Sequence, residues 1–356
     1  MLTRRNLLKS LAACSLPVLP AAAAETGSGE PQLYQAEKNT FSMGTLIGLT
    51  VYAPTEDKAS AWLEAADEEM NRLADILTVH GDSSPMIEVI RQSGRPVAVP
   101  EEAAEAVAAA LKVAKESDSA FEPTIGKLVD VWKIGFGGKA VPSDKEIRSA
   151  RSFVDWRRVR VFRRGEQDYV QIGRGQDIDL GGIAKGYIGT RMALYLKELG
   201  ARKALFNLGG NVVVIGSSPA GRPWRIGLQH PAEERNDYFA VLSAEDESVI
   251  TSGAYERKLV INGRQYGHIL SPKTGYPVQT DLSSVTIADR DGAKADAWCT
   301  ALFAMGRKKA FGMLRRRPDI EAALMSSDYR TVWLTPGLAR RCEVTDPAVR
   351  KVVLRR

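Results

Sequence analysis

KALFNLGGNVVVI (Lys203–Ile215) is the stretch on which the fold turns: two short β-like runs split by Gly209, Gly210 and Asn211. Further strand candidates follow as WRIGL, FAVLS, ESVIT, RKLVI, SSVTIA, AALMS and TVWLT, and Asn262 with Gly263 between RKLVI and RQYGHI has the composition of a hairpin turn. Upstream, TLIGLTVYA (Thr45–Ala53) reads as a strand. Trp62, Ala66, Met70, Leu73 and Leu77 recur at three- and four-residue steps, which predicts an amphipathic helix over 56–78 with one stripe facing a core. An Ala-rich helix is expected over 101–117, another from Ile183 to Leu199 stopped by Gly200, and one from Ala293 to Met305. Strands and helices mix in no regular alternation. The expected class is therefore α+β, with mixed, largely antiparallel sheets packed with helices, rather than a doubly wound sheet. No repeat or internal linker interrupts residues 41–356, which read as one domain.

The 356 residues, 44% hydrophobic and 26% charged, can bury a core and exclude a disordered, collagen-like or coiled-coil chain. The formal charge is +6, from 49 Lys+Arg against 43 Asp+Glu. Three of those positives (Arg4, Arg5 and Lys9) lie in a removable N-terminal segment, and without them the surface is close to balanced. Short basic clusters such as Arg315–Arg317 and an aromatic content of 7% do not make the basic, aromatic-studded stripe of a nucleic-acid groove. Nucleic acid is not an expected partner.

The N-terminus, MLTRRNLLKSLAACSLPVLPAAAAE, has a cationic start, an apolar middle near Leu7 to Leu19, and small residues ending at Ala24, the layout of a secretory signal over residues 1–24. Paired Arg4 and Arg5, followed by Asn6, Leu7, Leu8 and Lys9, resemble a twin-arginine signal, so periplasmic localisation by that route is expected. The apolar stretch is shorter than the ~20 residues a span needs, and it carries Pro17 and Pro20; no stable membrane insertion is expected after signal removal. Residues 25–40, polar with Gly and Pro, read as a flexible tether. Cys14 leaves with the signal, and Cys299 and Cys342 leave one bridge open. His80, His230 and His268, without an HExxH or CxxC pair, give no structural zinc pattern.

Several polar, glycine-bearing segments are candidates for chemistry. DIDLGGIAKGY (Asp177–Tyr187) precedes a helix, so its N–H groups either face an anion, with Lys185 adding charge, or simply form a tight turn. It has neither the GxGxxG nor the GxxxxGK[ST] spacing. Asp296 and Thr300 stand four residues apart on an expected helix, one turn apart on one face. Two oxygen donors there suit a hard cation such as magnesium; the alternative is a charge near the helix start and a packed threonine. His268, beside a turn through Pro272, Gly275 and Pro277, is either a proton acceptor or a hydrogen-bonded surface histidine. NLGGN (Asn207–Asn211) and TSGAYER (Thr251–Arg257) are further strand ends where a ligand can meet backbone.

Taken in order, MGT (Met43–Thr45), FEPTIGKLVDVWKIGFG (Phe121–Gly137), DLGGIAKGY (Asp179–Tyr187), FNLGGN (Phe206–Asn211), TSGAYER, HILSPKTGYP (His268–Pro277) and SVTI…ADAWCTALFAMG resemble the successive motifs of the ApbE family, the FAD:protein FMN transferases. The resemblance spans roughly Met43 to Gly306 and implies the family's α+β fold. It implies magnesium-dependent cleavage of FAD at its pyrophosphate, transfer of FMN to a threonine of a target protein, and release of AMP. By the same resemblance Gly182, Asp296 and Thr300 are the metal ligands, the first through its carbonyl. Met43, Ala120, Phe121, Glu122, Asp179, Lys185 and Ile269 line the FAD site, and His268 is the catalytic base.

The departures from the family pattern are specific. Glu122, Ala254, Ser271 and Thr190 stand where Asp is usual, and Val79 where an aromatic often covers the flavin. The implied partners are FAD and a threonine-bearing domain of a membrane respiratory protein facing the periplasm. Among such targets the twin-arginine start favours the flavoprotein regulator that supports nitrous oxide reduction. Two other readings stay open: an FAD pyrophosphatase that yields FMN and AMP, and a non-catalytic flavin-binding assembly factor.

Overall fold

The computed structural model describes residues 32–233, 237–253 and 257–355, so the signal expected over 1–24 and Ala254 lie outside the described residues. Strands β1 (Tyr34–Ser42) and β2 (Thr45–Ala53) form a hairpin. Its two-residue turn, Met43 and Gly44, has positive φ at both positions (50° and 71°), the turn geometry whose twist matches that of the strands it joins. This corrects the tether: Tyr34–Thr40 is strand. β1 has no apolar alternation and stays mostly exposed, so hydrophobic pattern could not reveal it. Its backbone ladder to β2 holds it, helped by Lys38 Nζ at 2.6 Å from Asp67 Oδ2.

Helix α1 (Glu56–Leu77) starts at Thr55, whose hydroxyl accepts the Lys58 N–H, and buries Ala59, Ala66, Met70, Leu73 and Leu77 along one stripe. The chain continues through α2 (Pro85–Arg91), β3 (Val97–Val99), α3 (Glu101–Glu116), a 3-10 turn (Pro123–Ile125), α4 (Gly126–Trp132), α5 (Asp144–Arg151), β4 (Arg160–Arg164) and β5 (Gln167–Gln171). Next come α6 (Ala184–Glu198), β6 (Lys203–Leu208), β7 (Val212–Ile215), β8 (Trp224–Gln229), β9 (Tyr238–Ala244), β10 (Ser248–Gly253), β11 (Lys258–Ile261), β12 (Arg264–Gly267), β13 (Leu282–Asp289) and α7 (Gly292–Arg316). β14 (Ala322–Ser326), β15 (Thr331–Leu334), α8 (Pro336–Ala339), β16 (Cys342–Val344) and β17 (Arg350–Val353) follow. The expected helix ending at Met305 is the first part of α7, which breaks at Gly306 (φ 70°) and then resumes.

Nine strands form one sheet in the order β1-β2-β6-β7-β10-β13-β14-β15-β17. Each neighbouring pair is antiparallel except β15 with β17. The apolar runs that predicted these strands are nearly continuous because both faces of the sheet are covered. Ala204, Phe206, Val213, Ile215, Ile250, Ile287 and Leu324 face the main core with α1, α6 and α7. Their neighbours Leu205, Val212, Val214, Val249, Ala288 and Met325 face a second core, shared with the small sheet β16-β9-β8. The period-2 geometry of a strand thus splits each run between two layers. A third, smaller core gathers Leu128, Trp132, Ile134, Ile147, Ala150 and Leu270. Cys299 and Cys342 are free and buried in different cores, so no bridge joins them.

Candidate active site

The site forms where the N-terminal turns of α6 and α7 cross. A Cβ on Gly186 would stand 2.1 Å from the Gly292 carbonyl oxygen, so only glycine permits this approach. Thr190 staples the crossing: its hydroxyl donates to Gly186 O (3.0 Å) and accepts from Gly292 N (2.9 Å). It therefore serves the helix pair.

That crossing aims Asp296 at the start of α6. Its Oδ2 accepts the Gly186 N–H at 3.0 Å and Asn211 Nδ2 at 3.2 Å. Asn211 comes from the turn inside the Lys203–Ile215 stretch, so the same glycine break that makes the two strands also delivers a donor to the site. Among the described residues Oδ1 takes no hydrogen bond and no cation forms an ion pair with the carboxylate. Thr300 lies one turn on, with Oγ1 3.3 Å from Ser252 Oγ. A Cβ on Gly182 would sit 3.4 Å from Thr300 Oγ1 and 3.0 Å from the Phe121 ring. Gly182, Asp296 and Thr300 are thus brought together.

Burial raises the Asp296 pKa, while the Lys185 charge, the Gly186 amide and the Asn211 amide act the other way. The Asp296 carboxylate and Thr300 hydroxyl, with the Gly182 backbone beside Thr300, offer oxygen donors. They fit a hard divalent ion that keeps its remaining positions for water and phosphate. The enclosed carboxylate, lacking a fixed cation, has the charge such an ion would neutralise.

His268 follows β12. Its backbone N–H donates to Arg257 O at 3.2 Å, and its Nδ1 lies 3.3 Å from the same carbonyl. With Nδ1–H donating there, Nε2 carries the free lone pair. Burial pushes its pKa down to about 4, with the charges of Arg257 and Lys185 acting in the same direction and the carbonyl against it. The ring is therefore neutral at pH 7 and able to accept a proton. Lys185, half-buried in the first turn of α6, links this group to Asp296 through its field. Buried Ile269 is anchored by the Val278 N–H donating to its carbonyl at 2.9 Å.

The remaining expected flavin-lining residues approach the same place from other elements. Asp179 N donates to Pro123 O at 2.7 Å, joining the loop before α6 to the turn that carries Ala120 and Phe121. Asp179 Oδ1 accepts the Gly181 N–H at 2.7 Å; burial raises its pKa, opposed by that N–H and by the charges of His80 and Arg257. Met43 packs on the main core at the β1–β2 turn, and a Cβ on the adjacent Gly44 would lie 3.2 Å from Arg257 Nη2.

Glu122 is tied into its own turn. Its Oε1 accepts from Thr124 N (2.9 Å) and Oγ1 (2.7 Å), and its Oε2 accepts from Trp156 N (3.2 Å). That carboxylate holds the turn which presents Phe121. Ser271 likewise supports a turn, accepting the Thr274 N–H at 3.3 Å, and Val79 packs against the main core. The sequence reading missed Asn211 and Ser252 as site neighbours. Both stand in polar strand ends already singled out, and only the sheet's lateral order brings them to α7.

The ApbE family model matches residues 43–324. An FAD:protein FMN transferase of Klebsiella pneumoniae is 35% identical over 299 residues, covering 84% of this chain and 91% of that protein. One of Treponema pallidum is 32% identical over 335 residues, covering 89% and 91%. The crystal structure of an ApbE protein from Thermotoga maritima superposes with a TM-score of 0.77 at 30% identity, covering 86% of this chain and 99% of that one. Its motifs, its sheet and its relatives agree: the chain belongs to the ApbE family of flavin transferases.

Proposed function

We propose that this protein splits FAD and, with magnesium, transfers its FMN part to a threonine of a periplasm-facing respiratory flavoprotein, releasing AMP. The observation that carries this reading is the convergence of Gly182, Asp296 and Thr300 with Lys185 and a neutral His268. Gly182 O, Asp296 and Thr300 would hold magnesium, which when bound would offset the charge of the pyrophosphate. Lys185 adds a second positive charge beside the same phosphates. His268 Nε2 takes the proton from the acceptor hydroxyl. The threonine oxygen forms a bond to the FMN-side phosphorus as the bond to the AMP phosphate breaks, and AMP leaves with that bridging oxygen.

Export by the twin-arginine route, from Arg4 and Arg5, belongs to this proposal, as does a target that supports nitrous oxide reduction. Among the described residues no helix is long and apolar enough to cross a membrane. Incubation with FAD, Mg2+ and a candidate target domain, followed by intact-mass analysis, tests the reading. An FMN adduct on the target is the expected result. Free FMN without adduct would indicate hydrolysis, and intact FAD would indicate binding alone; either would overturn the transfer reading.

A further inference from the structure

Phe136 is an apolar side chain placed where burial does not explain it. It is 47% exposed, yet it sits on a hydrogen-bonded turn. Trp132 and Ile134 are buried in the third core just before it, and the Trp132 indole N–H donates to Gly275 O at 2.8 Å. Lys133 O accepts from both Phe136 N (2.9 Å) and Gly138 N (3.0 Å), which closes the loop. Lys133, Gly135 and Gly137 all have positive φ, and a Cβ on Gly135 would meet Arg257 Cδ at 2.8 Å. The loop is shaped to hold the ring out against Arg257.

Two groups flank that ring. The His80 imidazole lies 4.7 Å away, centroid to centroid, at 45°, and the Arg257 guanidinium carbon is 5.4 Å from the ring centre. Arg257 leads into the site: it gives its carbonyl to His268 and its side chain to the Met43–Gly44 turn. The Arg257 charge also acts on Asp179. An exposed aromatic, braced by a cation and a second ring at the edge of a phosphate-handling site, suits a flat heterocycle that brings its own π-face.

We infer that Phe136, braced by His80 and Arg257, forms the ring-binding wall of the dinucleotide site and sets the affinity for FAD through contact with one of its two heterocycles. This rests on the flavin-transferase reading. An apolar ring carries no group to move a proton or offset phosphate charge, so the role assigned to Phe136 is substrate binding.

The test is titration calorimetry of FAD into the protein in EDTA, for wild type, Phe136→Ala and Phe136→Trp, with thermal melting as a check on folding. Phe136→Ala should weaken FAD binding about tenfold, the order found for loss of an aromatic stacking partner, and Phe136→Trp should restore it. Equal titrations with FMN and ADP assign the ring: a loss confined to FMN marks the isoalloxazine, a loss confined to ADP the adenine. A folded Phe136→Ala protein that binds FAD as wild type does would overturn the inference. The reading beneath it is judged separately by the FMN adduct formed by wild type, which does not depend on this variant.

Discussion

Two buried acids, Asp296 and Glu247, are treated in opposite ways. Glu247, 9% exposed, is gripped by both terminal nitrogens of Arg341, with Nη2 to Oε2 at 2.9 Å. Asp296, 5% exposed, has among the described residues only neutral N–H donors on one oxygen. A carboxylate enclosed without a cation costs stability, whereas a bidentate guanidinium offsets much of that cost. The first pattern is worth keeping only where something else supplies the charge, which is why Asp296 reads as a functional group and Glu247 as a structural one.

The largest effects should separate these two residues. Asp296→Ala should lower the rate of FMN transfer about a thousandfold, the several kcal/mol that a metal contributes to such chemistry. It should leave the melting temperature of metal-free protein unchanged or higher. Glu247→Ala should do the reverse: it removes the carboxylate partner of Arg341, which keeps Ser243 O and partial access to solvent, and should cost about 1–3 kcal/mol in urea denaturation, with turnover per folded molecule retained. If Asp296→Ala destabilised the metal-free protein as much as Glu247→Ala, the contrast would be wrong.

His268 supplies the next largest effect. His268→Ala should slow transfer by about 10²–10⁴-fold, the usual worth of a positioned base. With a folded pKa of about 4, wild-type rate should stay level from pH 8 to about 5 and fall below that as the imidazole takes up a proton. The same shift bears on stability. The unfolded histidine, with a pKa near 6.5, binds its proton first on acidification. Its contribution is complete above about 6.5 and is lost as pH falls toward 4, by up to about 3 kcal/mol. Asp177, whose folded pKa is about 6, opposes this over part of the range. The test is therefore the difference in unfolding free energy between wild type and His268→Ala at each pH; a difference that does not shrink on acidification would reject a buried neutral imidazole.

Much of this arrangement could be read before any coordinates. Period-2 and helical patterns found the central strands and the long helices because both faces of the sheet and one face of each helix are apolar. β1 escaped because it is held by a backbone ladder and one ion pair. The four-residue spacing of Asp296 and Thr300 already implied a shared helix face, but could not tell a metal ligand from a packed threonine. What the coordinates add is that Gly182, in the loop before α6, lies against Thr300, a contact between residues more than a hundred positions apart, and this proximity supports the metal-ligand proposal. Glu122 shows a second kind of detail that only the coordinates supply. The resemblance places it among flavin-lining residues, and what the sequence does not show is that its carboxylate is engaged by Thr124 and Trp156, which leaves its backbone as the part facing outward from that network.

Asn211 sharpens the comparison at a smaller scale, because it does for Asp296 some of what Arg341 does for Glu247 without adding charge. Asn211→Leu should weaken Mg2+ binding by about 10–100-fold, the usual penalty for losing a partner that orients a metal ligand. Calorimetric titration of Mg2+ into the flavin-free protein reads this directly. Unchanged affinity would show that the Gly186 N–H alone orients the carboxylate.

The smallest effect is expected at Asp177, a third buried acid that fits neither pattern. It has a cation, but a distant one: Lys127 Nζ is 3.7 Å away. Burial and the nearby Asp130 and Asp179 push its pKa up to about 6. A carboxyl whose folded pKa exceeds its unfolded value destabilises the fold once it ionises, so the penalty is present above pH 6 and disappears as pH falls toward 4. Asp177→Asn keeps the shape and removes the charge. It should stabilise the protein at pH 8 by about 1 kcal/mol, after allowance for the lost Lys127 contact, and by nothing measurable at pH 4. If the variant gained no stability at pH 8, Lys127 would be compensating Asp177 as fully as Arg341 compensates Glu247, and the acid would belong with the structural group. If it gained stability and lost FAD affinity, the strain would be one that the substrate relieves, which would extend the uncompensated side of the molecule from Asp296 to the loop before α6.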